Sequence, residues 1–268
     1  MIDSPFLVRP GKKFKLADLK TDEKGDFKSK KEAEAASADN IKQLRKLQDL
    51  LYAESKQSLL VVLQAMDAGG KDGTIDHIFS GVNPQGCQVT SFKVPSTLER
   101  SHDFLWRHHL AAPAKGMIGI FNRSHYEAVL VERVHEIVPK SVWKKRYTHI
   151  NNFEALLADE GTTILKFYLH ISKKEQADRM QARLDDAKKN WKFSPSDLQE
   201  RKYWNDYQAA FEDALSSCST ETAPWYAIPA DHKWFRNWAI SDILVKTLQG
   251  MNPKYPPPIK DIGKFKVV

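Results

Sequence analysis

The stretch that most restricts the fold is residues 58–75, SLLVVLQAMDAGGKDGTI. It opens with a continuous apolar run rich in branched side chains. Such a run reads as a strand buried on both faces of a parallel sheet. Gly69, Gly70 and Gly73 follow, and then Ile75, Ile78, Phe79 and Val82 recur at helical spacing from about Asp72 onward. The order strand, glycine turn, helix gathers backbone N–H groups and the positive end of a helix dipole at one point, which makes a cradle for an anion. The stretch nevertheless departs from the common phosphate-loop pattern G-x-x-x-x-G-K-[ST]. Ala65 stands where the first glycine belongs, and Asp72 stands where the metal-binding hydroxyl belongs. Lys71 is retained and is placed to reach a terminal phosphate. A glycine-rich turn with a surface lysine is the plainer alternative.

The rest of the chain repeats the alternation. Ile41, Leu44, Leu47 and Leu51 predict an amphipathic helix over about 38–56. Further strands are expected at 87–92, 116–121, 162–170 and 224–230, with helices near 97–111, 141–160 and 232–250. This pattern implies an α/β fold with a parallel sheet and right-handed crossovers. Residues 1–35 read as a polar N-terminal arm, 36–250 as one domain, and the Pro-rich 251–268 as an extended tail. Residues 172–217 fall outside the alternation. They read as two charged helices broken near NWKFSPS, started by Ser172 with Glu175 and by Ser194 with Pro195. They are expected to form a helical lid.

Composition narrows the function classes. No apolar run approaches the ~18 residues of a membrane span, and the first twenty residues lack the apolar centre of a secretory signal. The two cysteines, Cys87 and Cys218, stand far apart and in no ligand spacing. A cytoplasmic location is the expectation. The net charge of +7 suits either a basic surface bias or a polyanionic partner. No zinc motif and no nucleophile elbow is present.

Several side chains carry possible chemistry. Asp67, just ahead of the glycines, is read as a metal or catalytic carboxylate, because hydrated Mg²⁺ takes one or two such groups. Asp72 is read as structural, satisfying the helix dipole. The strand GMIGIF ends in Asn122 and Arg123, and an arginine there faces the ligand crevice of an open sheet. Glu127 has two open readings: Ser124 and Glu127 make a capping box, or Glu127 is a second metal carboxylate beside the neutral Asn122. Arg179 and Arg183 share one helix face. They either pair with Glu175 and Asp186 or clamp phosphate. Trp191, Trp204, Tyr207, Trp225, Trp234 and Trp238 are read mainly as packing, and the histidines as structural.

The motifs MDAGGKDGT, FNRSHYE, LHISKKEQ with its two following arginines, and WKFSPSDL occur in an order and spacing that closely resemble the polyphosphate kinase 2 family, over about residues 40–250. Asn122 and the GGKDGT spelling resemble its class III subgroup, which phosphorylates AMP and ADP. The resemblance implies a three-layer P-loop kinase fold like thymidylate kinase, with a helical lid. It implies reversible, Mg²⁺-dependent transfer from inorganic polyphosphate to AMP and ADP, giving ADP and ATP. By motif match, Asp67, Lys71, Asn122, Arg123 and Arg183 would be catalytic. Gly69, Gly70, Lys71, Gly73, Thr74 and Arg179 would bind phosphate, and Asp67 and Glu127 would hold the metal. It further implies a homo-oligomer, dimer or tetramer, with no nucleic-acid or membrane partner. An ATP-dependent nucleotide kinase and a non-catalytic polyanion-binding protein are the alternatives.

Overall fold

The structure is a computed structural model and describes residues 1–267. Its centre is the strand read from SLLVVLQA. This is β2, Ser58–Ala65, preceded by a short β1, Leu7–Val8, and a long α1, Lys30–Glu54. From Ser58 to Gln64 every residue of β2 is buried, as expected for a strand covered on both faces. The chain continues through α2 (Lys71–Phe79), β3 (Cys87–Ser91), α3 (Thr97–Arg100), α4 (Trp106–Leu110) and β4 (Ile118–Asn122). Next come α5 (Val131–Val134), α6 (Lys140–Asp159), β5 (Thr162–His170), α7 (Lys173–Asp185), α8 (Pro195–Glu200) and α9 (Trp204–Cys218). It closes with β6 (Trp225–Pro229) and α10 (Lys233–Met251).

The six strands lie in the order β1-β6-β5-β2-β4-β3, parallel except for the antiparallel edge pair β1 and β6. After β2 the chain runs to the far edge at β3, returns to β4 beside β2, and crosses to β5 on the other side of β2. Connections leaving the carboxyl ends of β2, β4 and β5 therefore part in opposite directions. This opens the crevice where open α/β sheets bind ligands. Helices α1, α2 and α10 pack together, as do α5, α6 and α9, giving three layers with the sheet between.

Helix α1 begins at Lys30, earlier than its large apolar residues predict. Its first turns bury the small Ala33 and Ser37, which carry no strong hydrophobic period, and Asn40 Nδ2 donates to Ser241 Oγ on α10 at 3.2 Å. Ser29 caps it by accepting from the N–H of Glu32. The helix expected over 97–111 is two short helices, because Asp103 Oδ1 accepts from the N–H of Leu105 and restarts the chain there. In the 172–217 region, α7 and α9 behave differently. Tyr207, Ala210, Phe211, Ala214 and Leu215 bury one face of α9 in the core. The solvent-facing excursion is the stretch between α7 and α9, where Trp191 is 78% exposed. Trp204 and Trp225 are core residues, and Trp234 and Trp238 pack edge-on to Phe27.

Between β5 and α6 lies a buried ionic knot that no periodicity announces. Lys166 on β5 donates to Glu154 Oε2 at 2.5 Å, to Tyr126 Oη at 2.8 Å and to the carbonyl of Cys218 at 2.6 Å. Glu154 Oε1 also accepts from Tyr126 Oη at 2.9 Å and lies 3.0 Å from His125 Nε2. Burial alone would raise the Glu154 carboxyl, but Lys166 and His125 outweigh it and hold it below the usual range. The knot ties α6, β5 and the end of α9 to residues 122–128, which carry part of the candidate site. Removing one partner strands the other charge, so Glu154→Ala should destabilise the fold by about 3–5 kcal/mol. A urea midpoint within experimental error of the unsubstituted protein would show that the knot contributes nothing.

Candidate active site

The loop after β2 is built around two positions that exclude a Cβ. At Gly69 a Cβ would meet Ala65 Cβ at 2.5 Å and the carbonyl of Met66 at 2.7 Å. Gly70 has φ +99°, and its Cβ would lie 2.1 Å from Nη1 of Arg236. Gly73 has open space instead and leaves the first turn of α2 bare. Ala68 also takes a left-handed φ of 60°, a strained choice for a residue with a Cβ. The turn delivers the uncapped N-terminus of α2, with Gly70 as N-cap, to the crevice. The first-turn amides of a helix have no intrahelical acceptor and so face an anion readily.

Lys71, the first residue of α2, is 9% exposed, and its Nζ donates to the carbonyl of Ala65 at 3.2 Å. Burial pulls its ammonium below the usual range and Arg123 adds to the pull, while Asp67, Glu127 and Asp72 oppose it. Arg123 follows β4 in a left-handed conformation, φ 61°, its N–H bonded to the carbonyl of Leu63 at 3.1 Å. Its Nη2 donates to Asp67 Oδ1 at 2.8 Å and its Nη1 to Glu127 Oε2 at 3.4 Å. Glu127, burial and Asp67 all act on the guanidinium, and the two carboxylates prevail to raise it. Asp67, Arg123 and Glu127 line a cavity of about 30 Å³ with Met66, Tyr207 and Phe211. The geometry removes the capping reading of Glu127. Ser124 Oγ accepts from the N–H of Tyr126, whereas the Glu127 carboxylate takes Arg123 and, at 3.1 Å, Gln64 Nε2.

Other anticipated residues have defined places. Asn122 Nδ2 donates to Asp72 Oδ1 at 2.6 Å, so Asp72 ties α2 to the end of β4 besides meeting the helix dipole. Thr74 is buried, with its hydroxyl on the carbonyl of Gly70 at 3.0 Å. Arg179 pairs with Glu175 at 2.7 Å, as one reading anticipated, and also grips the loop from behind. Its Nη1 donates to the carbonyls of Ala68 and Gly69 at 3.1 and 3.0 Å, and its Nη2 to those of Ala230 and Asp231. Arg183, one turn on, donates to Asp197 Oδ2 at 3.2 Å and to the carbonyl of Lys192 at 3.1 Å. Asp186 pairs with Lys189 instead.

Four participants were not singled out from the sequence. Gln64 is a polar residue inside an apolar strand, which is a readable signal. Gln176 Nε2 donates to the carbonyl of Asp67 at 3.0 Å. Asp197 stands within reach of the site's field: burial and the charge of Asp67 raise its carboxyl against the pull of Arg183, Arg123 and Lys71. Arg236 sits on the apolar side of α10 among Phe235, Ala239 and Ile240, where a charged residue is unexpected.

A glycine loop ending a central parallel strand, a buried lysine opening the next helix, and an arginine between two carboxylates at the switch point define a P-loop phosphotransferase. Comparison with known proteins narrows this. The profile described as Polyphosphate kinase 2 matches residues 27–256. A Meiothermus ruber protein, AMP/ADP-polyphosphate phosphotransferase, is 55% identical over 255 residues, 94% of this chain and 95% of its own. A Rhodopseudomonas palustris ADP-polyphosphate phosphotransferase is 47% identical over 94% of this chain and 91% of its own. The crystal structure of Polyphosphate Kinase 2 from Arthrobacter aurescens TC1 superposes with a TM-score of 0.92 at 42% identity, covering 96% of this chain and 92% of that one. The chain belongs to the polyphosphate kinase 2 family.

Gly70→Ala should cost about 1–3 kcal/mol through its left-handed backbone alone, with the contact to Arg236 added. Thermal unfolding and isothermal titration with tripolyphosphate would both fall. Retention of both would mean that the loop can be rebuilt around a side chain.

Proposed function

We propose that this chain transfers phosphoryl groups from inorganic polyphosphate to AMP and ADP, reversibly, yielding ADP and ATP. The observation that carries the reading is the convergence of Lys71, Arg123, Asp67 and Glu127 on the loop at the switch point of the sheet. The names of the Meiothermus ruber and Rhodopseudomonas palustris relatives supply the donor and acceptors. Phosphoryl transfer asks chiefly for positioning and for neutralisation of charge on the equatorial oxygens. The α2 amides orient the donor phosphate. Lys71 and Arg123 bring positive charge to it from two elements. Arg183 can join them by leaving Asp197, and the excursion between α7 and α9 serves as a lid that excludes water.

Asp67 and Glu127 are the residues that would hold Mg²⁺. They suit it, being two hard oxygen donors that both contact the Arg123 guanidinium and so lie close to one another. When bound, the ion neutralises phosphate oxygens and fixes their geometry. Glu127→Gln should raise the half-saturating Mg²⁺ concentration about tenfold or more, since even outer-sphere partners cost that much. An unchanged titration would confine Glu127 to holding Arg123 and Gln64. No helix among the described residues is long and apolar enough to cross a membrane, and both cysteines are free thiols. These features support a reducing, cytoplasmic setting. A homo-oligomer is part of the same reading.

The deciding assay incubates purified protein with AMP, polyphosphate and Mg²⁺, without ATP, and follows nucleotides by chromatography. ADP followed by ATP is expected. ADP alone would retire the dual acceptor range. No product from folded protein, with ATP active as donor instead, would sink the polyphosphate reading.

A further inference from the structure

Arg236, on the first turn of α10, is 2% exposed and lies directly behind the phosphate loop. The space that a Cβ on Gly70 would occupy is 2.1 Å from Nη1 of Arg236 and 3.4 Å from Nη1 of Arg179. Two guanidiniums thus crowd one point of the backbone, but their pairing differs. Arg179 has Glu175. Among the described residues Arg236 has only a neutral amide: its Nε and Nη2 both donate to Asn237 Oδ1, at 3.1 and 2.8 Å. Its Nη1 is buried and has no hydrogen-bond partner among the described residues.

Among the described residues no carboxylate pairs with this charge. Burial, followed by repulsion from Arg179, pulls the Arg236 guanidinium down to about 9, so it is still protonated at neutral pH. Lys233, at the start of the same helix, is lowered by burial and by both arginines, with only Glu175 of the nearby acids opposing them among the main influences. Asp231, the other acid at this corner, accepts from the N–H of Ser172 at 2.8 Å and from Thr21 Oγ1 at 2.7 Å. A buried, unneutralised cation beside a second one destabilises the protein alone.

We propose that Arg236 is a positioning residue for the donor: its unneutralised charge, held by Asn237 against the back of Gly70, raises the affinity of the loop for linear oligophosphate. It acts through the loop and does not touch the reacting atoms. The identity of the anion as a donor chain rests on the functional reading above. The presence of a neutral amide at position 237 is then part of the design, because a carboxylate there would quench the charge.

Asn237→Asp tests this at nearly constant shape. It puts an acid on the same two guanidinium nitrogens, so melting temperature without ligand should stay level or rise. Affinity for inorganic tripolyphosphate, measured by calorimetry, should fall about tenfold, the effect of a unit charge about 10 Å away in an effective dielectric near 20. The stabilisation conferred by tripolyphosphate should shrink in step, and in turnover the loss should fall on KM for polyphosphate rather than on kcat. Arg236→Gln removes the cation without adding an acid and must lose affinity comparably, whereas a purely structural Arg236 would lose no more affinity in Arg236→Gln than in Arg236→Lys. Undiminished tripolyphosphate affinity in folded Asn237→Asp overturns the proposal. Should that variant not fold, Arg236→Lys against Arg236→Gln decides: charge retention must preserve affinity that charge removal loses, and equal losses overturn it. Parallel titrations with ATP separate a donor-chain effect from one on any triphosphate. A protein that binds tripolyphosphate tightly yet transfers nothing from polyphosphate would retire the functional reading and leave this one standing.

Discussion

A loop that presents its amides to an anion must turn its carbonyls the other way, and every one of those carbonyls needs a donor. This requirement organises the whole corner of the molecule. From Ala65 to Gly70 each carbonyl is met in turn. Lys71 Nζ serves Ala65, the N–H of Gly69 serves Met66, and Gln176 serves Asp67. Arg179 serves both Ala68 and Gly69, and the N–H and hydroxyl of Thr74 serve Gly70. The side chains doing this come from α2 and from α7, a hundred residues further along the chain. The loop's shape is therefore a product of tertiary structure, since three of its carbonyls are met by side chains of α7.

The two arginines of α7 have different partners. The spacing of Arg179 and Arg183 on one helical face left open both a phosphate clamp and pairing with Glu175 and Asp186. In the structure the first is spent on backbone carbonyls and Glu175, and the second reaches the excursion through Asp197. Helical spacing says which residues share a face. It does not say what that face meets. Asp67 and Glu127 are likewise brought together only by Arg123, whose left-handed backbone no local pattern announces.

What was legible follows from the strength of local signals. Strands β2 and β5 were readable nearly to the residue, because each is a long apolar run buried on both faces. The loop was readable because glycine is required where a Cβ would strike Ala65 or Arg236. The early start of α1 was hidden, since Ala33 and Ser37 pack by being small. The Lys166–Glu154 knot was hidden because each partner looks like a surface charge in its own helix or strand. Arg236 was hidden for the opposite reason: it lies in an apolar helix whose pattern it interrupts, and only the fold shows that the interruption faces the loop.

Helix α7 is fastened to the loop along its first two turns by Gln176 and Arg179, and its later turn is joined to α8 by Arg183 and Asp197. The helix is thus a fixed post with a latch at its far end. The contacts of Arg183 with Asp197 and the Lys192 carbonyl are separate from those that hold the loop carbonyls, which come from Gln176 and Arg179. Under the proposed reading, the two ends of α7 are therefore separable: a substitution at Arg183 or Asp197 alters the hold on the excursion and leaves the loop's carbonyl partners in place.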